Sequence, residues 1–506
     1  MVSPVSTLTA DFNNSSSSTS SKVKKILTVP DGVNPALMKM EYAVRGPIVQ
    51  RAEQLTQQLK DEKESSSVPF SQVVYCNIGN PQSVGQSPVT FLRQILSVLV
   101  CPSLINLEPS PFPTDVIERA KGILSNSNGI GAYTESPGLL YIRKTVANAL
   151  TLRDEGIVAS VDNIFLTNGA SDGVKALLQL LIRSPNDGIM IPIPQYPLYS
   201  ATLTSLKGTQ VPYFLNEESN NNDKNWSLDI NELQTSYNEA KRKGIDVRAL
   251  VVINPGNPTG HVLSKDQIYS IIKFCEKNNL LILADEVYQA NVFKPSKFLS
   301  FKKAVVDLNS DVEVASFHSV SKGVLGECGI RGGFVEVYNM EKDTRDVIYK
   351  IFSVSLCSNV LGQTAVSVMM NPPKLGDPSY EIYNKEVNGI FNSLQRKSEK
   401  LSKAFNSFEG VSCNNSQGAM YLFPKITMPE KAIQESFKQG FSSPDDLYCM
   451  QMLEQTGICT VPGSGFGQKE GTYHFRTTFL PPEDQIDNVI EQMRTFHEDF
   501  LQKYSH

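Results

Sequence analysis

The chain has 506 residues, of which 40% are hydrophobic and 20% are charged, and its formal net charge is −5 at pH 7. A chain of this length exceeds one small core, so we expect two packed regions plus extensions. The mild negative charge excludes a global basic field that would attract nucleic acid. The sequence also contains no run of about 18 apolar residues that could span a membrane, so neither nucleic acid nor membrane is an expected partner.

Cysteine and histidine spacing gives no sign of a disulfide framework or a metal site. The eight cysteines are scattered without a C-x-x-C pair, and the five histidines never stand at H-E-x-x-H spacing. This pattern favours reduced thiols in an intracellular enzyme. We therefore predict no metal ligands.

The N-terminal segment is rich in Ser, Thr and Asn, which predicts a disordered tail over residues 1–30. It lacks the apolar core of a secretory signal, and the first arginine, Arg45, lies beyond it, unlike an Arg-rich mitochondrial presequence. We expect a cytoplasmic protein. Mitochondrial import and an additional nuclear presence stay open as alternatives.

A first helix is predicted over about 43–60, followed by a polar connector over 60–67. Short apolar runs then alternate with helical patterns. The predicted strands are Ile164–Thr167, Ile189–Ile193, Arg248–Asn254, Leu280–Ala284, Val312–Phe317 and Phe334–Val337. Between the third and fourth strands, Ser264 and Gln267 have the spacing of a capping box at the start of a helix.

This order predicts an α/β fold with a mostly parallel sheet and helices on both faces. The glycines between residues 323 and 333 leave little room for a helix, so the last strand is expected to be antiparallel. From about residue 360, long amphipathic helices predict a smaller α+β domain. The expected division is a tail at 1–30, an N-terminal arm with part of the small domain at 31–109, a large cofactor-binding domain at 110–360, and the C-terminal small domain at 361–506.

Candidate site residues, most of them polar, follow five of the predicted strands within a few positions. They are, in chain order, Ala170 and Ser171, Tyr196, Asn257, Asp285 and Tyr288, and Ser319 and Lys322. Ligands of open α/β sheets bind beyond the carboxyl ends of the strands. Any one of these residues could be an ordinary turn residue, but five positions at one edge indicate a binding site.

The strand-to-helix turn at Ala170 and Ser171 suits a phosphate, because free backbone N–H groups and the helix dipole face an anion there. A simple helix cap is the alternative. Ser319 and Arg331 could add a hydroxyl and a guanidinium to the same anion. Lys322 alone would be a surface lysine, but beside a phosphate site it can attack an aldehyde to form a Schiff base and later move a proton.

Asp285 ends an apolar strand, where an unpaired buried carboxylate would be costly, and a protonated pyridine nitrogen is the partner it would need. Asn257 and Tyr288 could donate to a ring hydroxyl, and Tyr196 offers a flat face for stacking. Arg476 is either a surface residue or a bidentate ligand of an α-carboxylate, and spacing does not decide between them.

The glycine-rich run 463–467 has the wrong spacing for a dinucleotide loop, and no helical pattern follows it. We predict a flexible loop near the site there.

Several long strings carry a family resemblance: IPIPQYPLYSATL, INPGNPTG, LADEVYQ, ASFHSVSKG, GECGIRGGFVEV, QGAMYLFP and TGICTVPGSGFGQKEGTYHFR. On these strings the chain resembles the fold-type I, class I/II pyridoxal-phosphate-dependent aminotransferases, and among them those that act on alanine. The resemblance runs from about residue 35 to the C-terminus. It implies a seven-stranded, mostly parallel sheet in the large domain and pyridoxal 5′-phosphate as the cofactor.

The resemblance also implies roles for particular residues. Lys322 would form the Schiff base, Asp285 would bind the ring nitrogen, and Asn257 and Tyr288 would bind the ring hydroxyl. Tyr196 would stack on the ring, and the phosphate would be held by Ala170, Ser171, Ser319 and Arg331. The substrate would be bound by Arg476 and Asn257, with Gly79 close to the substrate. Lys322, Asp285 and Tyr196 are the expected catalytic residues. A homodimer is implied, with Tyr133 reaching the cofactor of the neighbouring subunit.

The expected reaction is L-alanine + 2-oxoglutarate ⇌ pyruvate + L-glutamate by a ping-pong mechanism, with small amino and keto acids as partners. The alternatives are another pyridoxal-phosphate reaction on a small amino acid, such as cyclopropane-carboxylate synthase chemistry, and a cofactor-binding protein with little turnover or a regulatory role. The sequence does not identify the group that binds the second carboxylate of glutamate.

Overall fold

The computed structural model describes residues 26–61, 68–217 and 226–504. Most of the predicted tail and of the connector therefore lie outside the described residues. The strands are β1 Val74–Tyr75, β2 Ile164–Thr167, β3 Asp187–Ile193, β4 Thr209–Phe214, β5 Asp246–Ile253, β6 Leu281–Asp285, β7 Val314–Ser319, β8 Gly333–Tyr338, β9 Val411–Ser412, β10 Tyr421–Leu422, β11 Lys425–Ile426, β12 Ile458–Cys459, β13 Val461–Pro462 and β14 Tyr473–Thr478.

The α-helices of the described ranges occupy the segments between these strands and both ends of the fold. They are α1 Pro35–Met38, α2 Pro47–Gln58, α3 Thr90–Val100, α4 Thr114–Ser125, α5 Leu140–Arg153, α6 Ala170–Leu181, α7 Leu198–Leu206, α8 Ile230–Arg242, α9 Lys265–Asn278, α10 Phe301–Asp307, α11 Lys342–Val354, α12 Val360–Met370, α13 Tyr380–Phe405, α14 Glu430–Lys438, α15 Pro444–Thr456 and α16 Ile486–Tyr504. No helix among the residues described is long and apolar enough to cross a lipid bilayer.

The central sheet has seven strands in the order β2-β8-β7-β6-β5-β3-β4. Only β8 runs against its neighbours β2 and β7, and the other pairings are parallel. The connection from β7 to β8 contains no α-helix, as the glycines predicted. The predicted mostly parallel α/β sheet with an antiparallel last strand is confirmed.

Strand β5 shows why these segments are strands buried on both faces. Along it, Ala249 and Val251 point into one core cluster, and Leu250 and Val252 point into another. Such runs of consecutive apolar residues are typical of parallel strands covered by helices on both sides. Helix α9 covers one of these faces, and its capping box at Ser264 is present as predicted.

The patterns missed edge strand β4, which has only two buried side chains, Val211 and Tyr213. Its polar Thr209 and Gln210 break the apolar run on which strand prediction depends. Pro212 is compatible with the strand because β4 lies at the edge of the sheet, where a residue without an N–H need not break a hydrogen bond to a neighbouring strand.

A second sheet, with strand order β10-β14-β11-β9 and β13 paired to β14, packs against α13, α15 and α16 in one hydrophobic cluster. Helix α2 contributes to this cluster, and β1 pairs with β12. The N-terminal arm therefore packs with the C-terminal part of the chain. The first long helix begins at Pro47, later than the predicted residue 43, because a 3₁₀ turn over Ala43–Arg45 and Gly46 precede it.

Candidate active site

A cavity of about 390 Å³ lies at the carboxyl edge of the central sheet, where the parallel strands end. The predicted site residues that border it are Gly79, Ala170, Ser171, Tyr196, Asn257, Asp285, Tyr288, Ser319, Lys322, Arg331 and Arg476. Tyr133 does not border this cavity, and it is 76% exposed. The fold thus gathers residues from distant parts of the chain around one pocket and leaves Tyr133 on the outer surface.

The strand register explains how Arg331 reaches this edge. Because β8 is antiparallel, its first residue, Gly333, pairs with the last residues of both neighbours, Thr167 of β2 and Ser319 of β7. The loop that carries Arg331 immediately precedes Gly333. It therefore lies beside the ends of the parallel strands, next to the start of α6.

The start of α6 and the Arg331 side chain form one end of the cavity. The Arg331 guanidinium donates to Ser171 Oγ at 3.3 Å and to the Asn168 carbonyl at 3.1 Å. Gly169, with φ of +81°, has no room for a side chain, because an added Cβ would collide with that guanidinium. A cation, a hydroxyl and the N-terminus of a twelve-residue helix thus meet at one point, an arrangement suited to an anion.

Lys322 is a further cationic residue that borders the cavity. Its Nζ donates to the Gly79 carbonyl oxygen at 3.2 Å and lies 5.7 Å from the centre of the Tyr288 ring. A Cβ on Gly79 would lie 3.1 Å from this Nζ. Gly79 therefore holds the amine through its backbone and keeps the space in front of it open.

Asp285 is a buried carboxylate at the end of β6. Tyr199 donates its hydroxyl to Asp285 Oδ2 at 2.9 Å, and within the described ranges no cation forms an ion pair with it. Burial raises the pKa of Asp285 to about 6, against the hydrogen bonds from Tyr199 and Val287 and the charge of Lys322, which lower it. A protonated ring nitrogen would supply the missing positive partner.

Two tyrosines and Asn257 form a hydrogen-bonded group beside Lys322. Tyr288 donates to Tyr421 Oη at 3.0 Å, and Asn257 Nδ2 lies 3.5 Å from Tyr288 Oη. Burial acts to raise the pKa of Tyr421, but the charges of Lys322 and Arg476 and the hydrogen bond from Tyr288 together lower it. The group is a source of hydrogen-bond donors at the cavity wall.

Arg476, on β14, is buried, with 1% of its surface exposed. Its guanidinium lies between the rings of Tyr421 and Phe466, 4.3 and 4.6 Å from their centres. It donates to Asn257 Oδ1 at 3.0 Å and to the Asn77 carbonyl, while Nε has no partner among the described residues. A buried guanidinium without a carboxylate partner in this part of the chain fits an anionic ligand.

The glycine-rich run 463–467 differs from its prediction. It forms a 3₁₀ turn over Gly463–Phe466, and Phe466 is 1% exposed. The prediction of a flexible loop is wrong because Phe466 is anchored in a buried cluster with Val44 and Phe423. Its position near the site is as expected, since its ring covers one face of Arg476.

Sequence reasoning missed Tyr199, Tyr421, Phe466 and Asn77. Tyr199 stands only three residues after Tyr196, in the string IPIPQYPLYSATL, so its nearness in the sequence could have pointed to it. Tyr421 is part of the string QGAMYLFP, which was assigned no role in the site. Asn77 contributes its backbone carbonyl, so its side-chain chemistry gave no signal. Tyr196 itself hydrogen-bonds through its hydroxyl to Tyr42.

Comparison with known families places the chain in a defined class. The model of the family described as aminotransferase class I and II matches residues 105–493. The chain therefore belongs to the class I and II aminotransferases, and the cofactor of this class is pyridoxal 5′-phosphate.

The similar relatives within this class carry a narrower name. Alanine aminotransferase 2 of Panicum miliaceum is 50% identical over 482 residues, which cover 94% of this chain and 98% of that protein. The probable mitochondrial alanine aminotransferase of Dictyostelium discoideum is 49% identical over 491 residues, covering 95% and 90%. The solved structure of alanine aminotransferase from Pyrococcus furiosus shares the fold, with a TM-score of 0.71, 24% identity, and coverage of 92% of this chain and 100% of that chain.

The cavity fits pyridoxal phosphate on three independent observations. Asp285 is a buried carboxylate without a cation in the described ranges, opposite in charge to a protonated pyridine nitrogen. Arg331 and the start of α6 form a cradle for a dianionic phosphate. Lys322 borders the same cavity and would supply the amine that binds the cofactor aldehyde.

One consequence of the Asp285 environment can be measured without cofactor. Because burial raises the folded pKa to about 6 from 3.8, ionised Asp285 opposes folding, and this penalty grows as pH rises through that window. We expect Asp285→Asn to stabilise the cofactor-free protein by about 2 kcal/mol more near neutral pH than near pH 4. Urea unfolding of variant and parent at several pH values measures this difference. A difference independent of pH would contradict the assigned environment.

Proposed function

We propose that this chain is an alanine aminotransferase that interconverts L-alanine and 2-oxoglutarate with pyruvate and L-glutamate. The proposal depends mainly on Arg476, which is buried, pairs with no carboxylate of the described ranges, and borders the same cavity as Lys322 and Asp285. An α-carboxylate is the group common to all four substrates. The names of the Panicum miliaceum and Dictyostelium discoideum relatives support alanine as the amino donor.

The residues divide into a cofactor set and a substrate set. Arg331, Ser171, Ser319 and the backbone at Ala170 would hold the phosphate, and Tyr196 would stack on the ring. Asn257 and Tyr288 would donate to the ring hydroxyl. When bound, the cofactor supplies an aldehyde and a ring that withdraws electrons from the bond being broken.

The chain itself supplies the proton transfers and the orientation. Asp285, shielded from water and hydrogen-bonded by Tyr199, keeps a proton on the ring nitrogen. The Lys322 amine, positioned by the Gly79 carbonyl, removes the proton from Cα of the amino acid and returns a proton in the reverse half-reaction. Arg476, packed against the rings of Tyr421 and Phe466, would bind the α-carboxylate and so orient the amino acid relative to Lys322.

A coupled assay of the purified, cofactor-loaded protein with L-alanine and 2-oxoglutarate tests the proposal. Pyruvate formation that depends on both substrates is the expected result. Release of other products from small amino acids would indicate a different pyridoxal-phosphate reaction. Cofactor binding without keto-acid formation would identify a binding protein, and either outcome would overturn the proposal.

Replacement of Arg476 is expected to affect both half-reactions. Arg476→Gln removes a charge-assisted interaction with a group present in every substrate, so kcat/KM for alanine and for 2-oxoglutarate should each fall about 100-fold. Arg476→Lys keeps the charge but loses the planar fork and should recover only part of the loss. Half-reaction kinetics measure both variants, and unchanged constants for alanine would remove Arg476 from the substrate site.

We also propose a homodimer in which Tyr133 contacts the cofactor site of the partner copy. Two observations support this role: its side chain is 76% exposed, and it does not border the cavity of its own chain. Size-exclusion chromatography with light scattering tests the dimer, and a loss of cofactor affinity in Tyr133→Ala tests the contact.

The proposed domain division is the one predicted from the sequence. Residues 110–360 form the large domain, residues 31–109 form the N-terminal arm and part of the small domain, and residues 361–506 form the rest of the small domain.

The proposed location is the cytoplasm. It depends on the composition of the N-terminal segment, whereas the Dictyostelium discoideum relative is named mitochondrial. Fractionation of cells that express the full chain distinguishes the two compartments.

A further inference from the structure

One cationic residue at the border of the cavity has no role in the reaction as described so far. The cationic residues that border it in the described part of the chain are Arg45, Lys322, Arg331 and Arg476, and its acidic residue is Asp285. The cofactor phosphate accounts for Arg331, and the α-carboxylate for Arg476. Lys322 and Asp285 serve the aldehyde and the ring nitrogen. Arg45 remains.

We propose that Arg45 binds the second carboxylate of the dicarboxylic substrates, 2-oxoglutarate and L-glutamate. The inference rests on the proposed function and identifies the residue that lets one site accept substrates with and without a distal charge. The guanidinium of Arg45 has no hydrogen bond or ion pair with residues 26–61, 68–217 or 226–504, so it is free to take an anionic ligand.

The backbone around Arg45 is held on the Arg476 side of the cavity. The preceding residue, Val44, is 2% exposed and belongs to a buried cluster with Phe466 and Val461. Val461 pairs with Arg476 across β13 and β14, and Phe466 covers one face of the Arg476 guanidinium. The 3₁₀ turn that carries Arg45 is therefore packed against the same structure that holds the α-carboxylate ligand.

A second contact fixes this turn to the segment that follows β3. The hydroxyl of Tyr42 hydrogen-bonds to the hydroxyl of Tyr196, and the Arg45 amide donates to the Tyr42 carbonyl at 3.1 Å. Arg45 is thus presented from an anchored turn at the border of the cavity, although its own side chain is exposed.

The difference in burial between the two arginines matches the two kinds of substrate. Arg476 is buried, and the cost of removing its charge from water is offset because every substrate brings an α-carboxylate to it. A second buried arginine would be left as an unpaired buried charge whenever alanine or pyruvate occupied the site, which is strongly unfavourable. An exposed arginine stays hydrated when the ligand has no distal carboxylate and pairs with it when one is present.

The test separates the two half-reactions of the holoenzyme. Arg45→Gln should lower kcat/KM for 2-oxoglutarate and for glutamate about tenfold, and leave the values for alanine and pyruvate within about twofold. Arg45→Lys, which keeps the positive charge, should restore part of the loss. Arg242→Gln, at an exposed arginine of α8, controls for loss of a surface charge and should change none of these constants.

A binding measurement gives a readout that does not depend on turnover. Calorimetry of the holoenzyme with glutarate and with its monocarboxylate analogue pentanoate should show that Arg45→Gln weakens glutarate binding about tenfold and hardly alters pentanoate binding. Equal losses of kcat/KM for alanine and 2-oxoglutarate in Arg45→Gln would indicate a structural role and overturn the inference. Unchanged kcat/KM for both substrates would also overturn it. A parent protein that fails to transaminate alanine would contradict the proposed function instead, and the glutarate comparison would still decide the role of Arg45.

Discussion

Lys322→Ala is expected to abolish turnover, with a fall in kcat of about four orders of magnitude or more, because the variant loses both the amine that bonds the cofactor and the base that moves the Cα proton. The visible absorption band of the amine-bound cofactor should disappear. Cofactor should still bind through Arg331 and the start of α6, since those contacts do not involve Lys322. Absorption spectra and the coupled assay measure the two effects together.

Two further variants separate the amine from its charge and from general effects of lysine loss. Lys322→Arg keeps a cation at the position but cannot bond the aldehyde, so it should be as inactive as the alanine variant. Lys342→Ala removes an exposed lysine at the start of α11 and should leave activity and spectrum intact. Activity comparable to the parent in Lys322→Ala would exclude this amine from catalysis.

Asp285→Asn should lower kcat about 100- to 1,000-fold while the fold is kept, because an amide cannot hold the proton on the ring nitrogen in a buried site. The side chain keeps its size, and its oxygen can still accept from Tyr199. Stopped-flow measurement of the alanine half-reaction should show the loss in the proton-transfer step, with a smaller effect on alanine binding.

The neighbouring residue provides a matched control. Glu286 is also buried, but it accepts from the Phe301 amide at 2.9 Å, lies 3.8 Å from Arg153 and does not border the cavity. Glu286→Gln should change stability and leave kcat close to that of the parent. Equal losses in the two variants would indicate a general effect of altering buried charge at this edge, contrary to a specific role for Asp285.

The strands that end at the site could be predicted because they are short runs of mostly apolar residues. Strand β5 and the strand before Asp285 are buried on both faces, and this leaves a strong signal in the sequence. The polar residue that follows such a run lies at the carboxyl edge by necessity. Lys322 and Asp285 could therefore be assigned to the same edge of the sheet from the sequence alone.

The surroundings of Arg476 could not be predicted in the same way. Its two covering rings, Tyr421 and Phe466, come from a two-residue strand and a 3₁₀ turn, elements too short to show periodicity. Its hydrogen bond to the Asn77 carbonyl involves backbone alone. These contacts depend on how the N-terminal arm and the C-terminal sheet pack together, which is a property of tertiary structure.

The position of Arg45 at the cavity could not be predicted from the sequence either. An isolated arginine before a helix has no pattern that distinguishes it from a surface residue, so the sequence left the second carboxylate without a ligand. Its position at the cavity, fixed by Val44 and Tyr42, becomes visible only when the arm is packed against Phe466 and Tyr196.

The central claim is that pyridoxal phosphate bonds covalently to Lys322 in a site built for alanine transamination. Borohydride reduction of the purified holoenzyme, followed by proteolysis and mass spectrometry, tests it directly. We expect the added mass of the reduced cofactor on the peptide that contains Lys322. When alanine is added before borohydride, this peptide should no longer be labelled. Label on a different lysine, or none on a protein that turns over alanine, would contradict it.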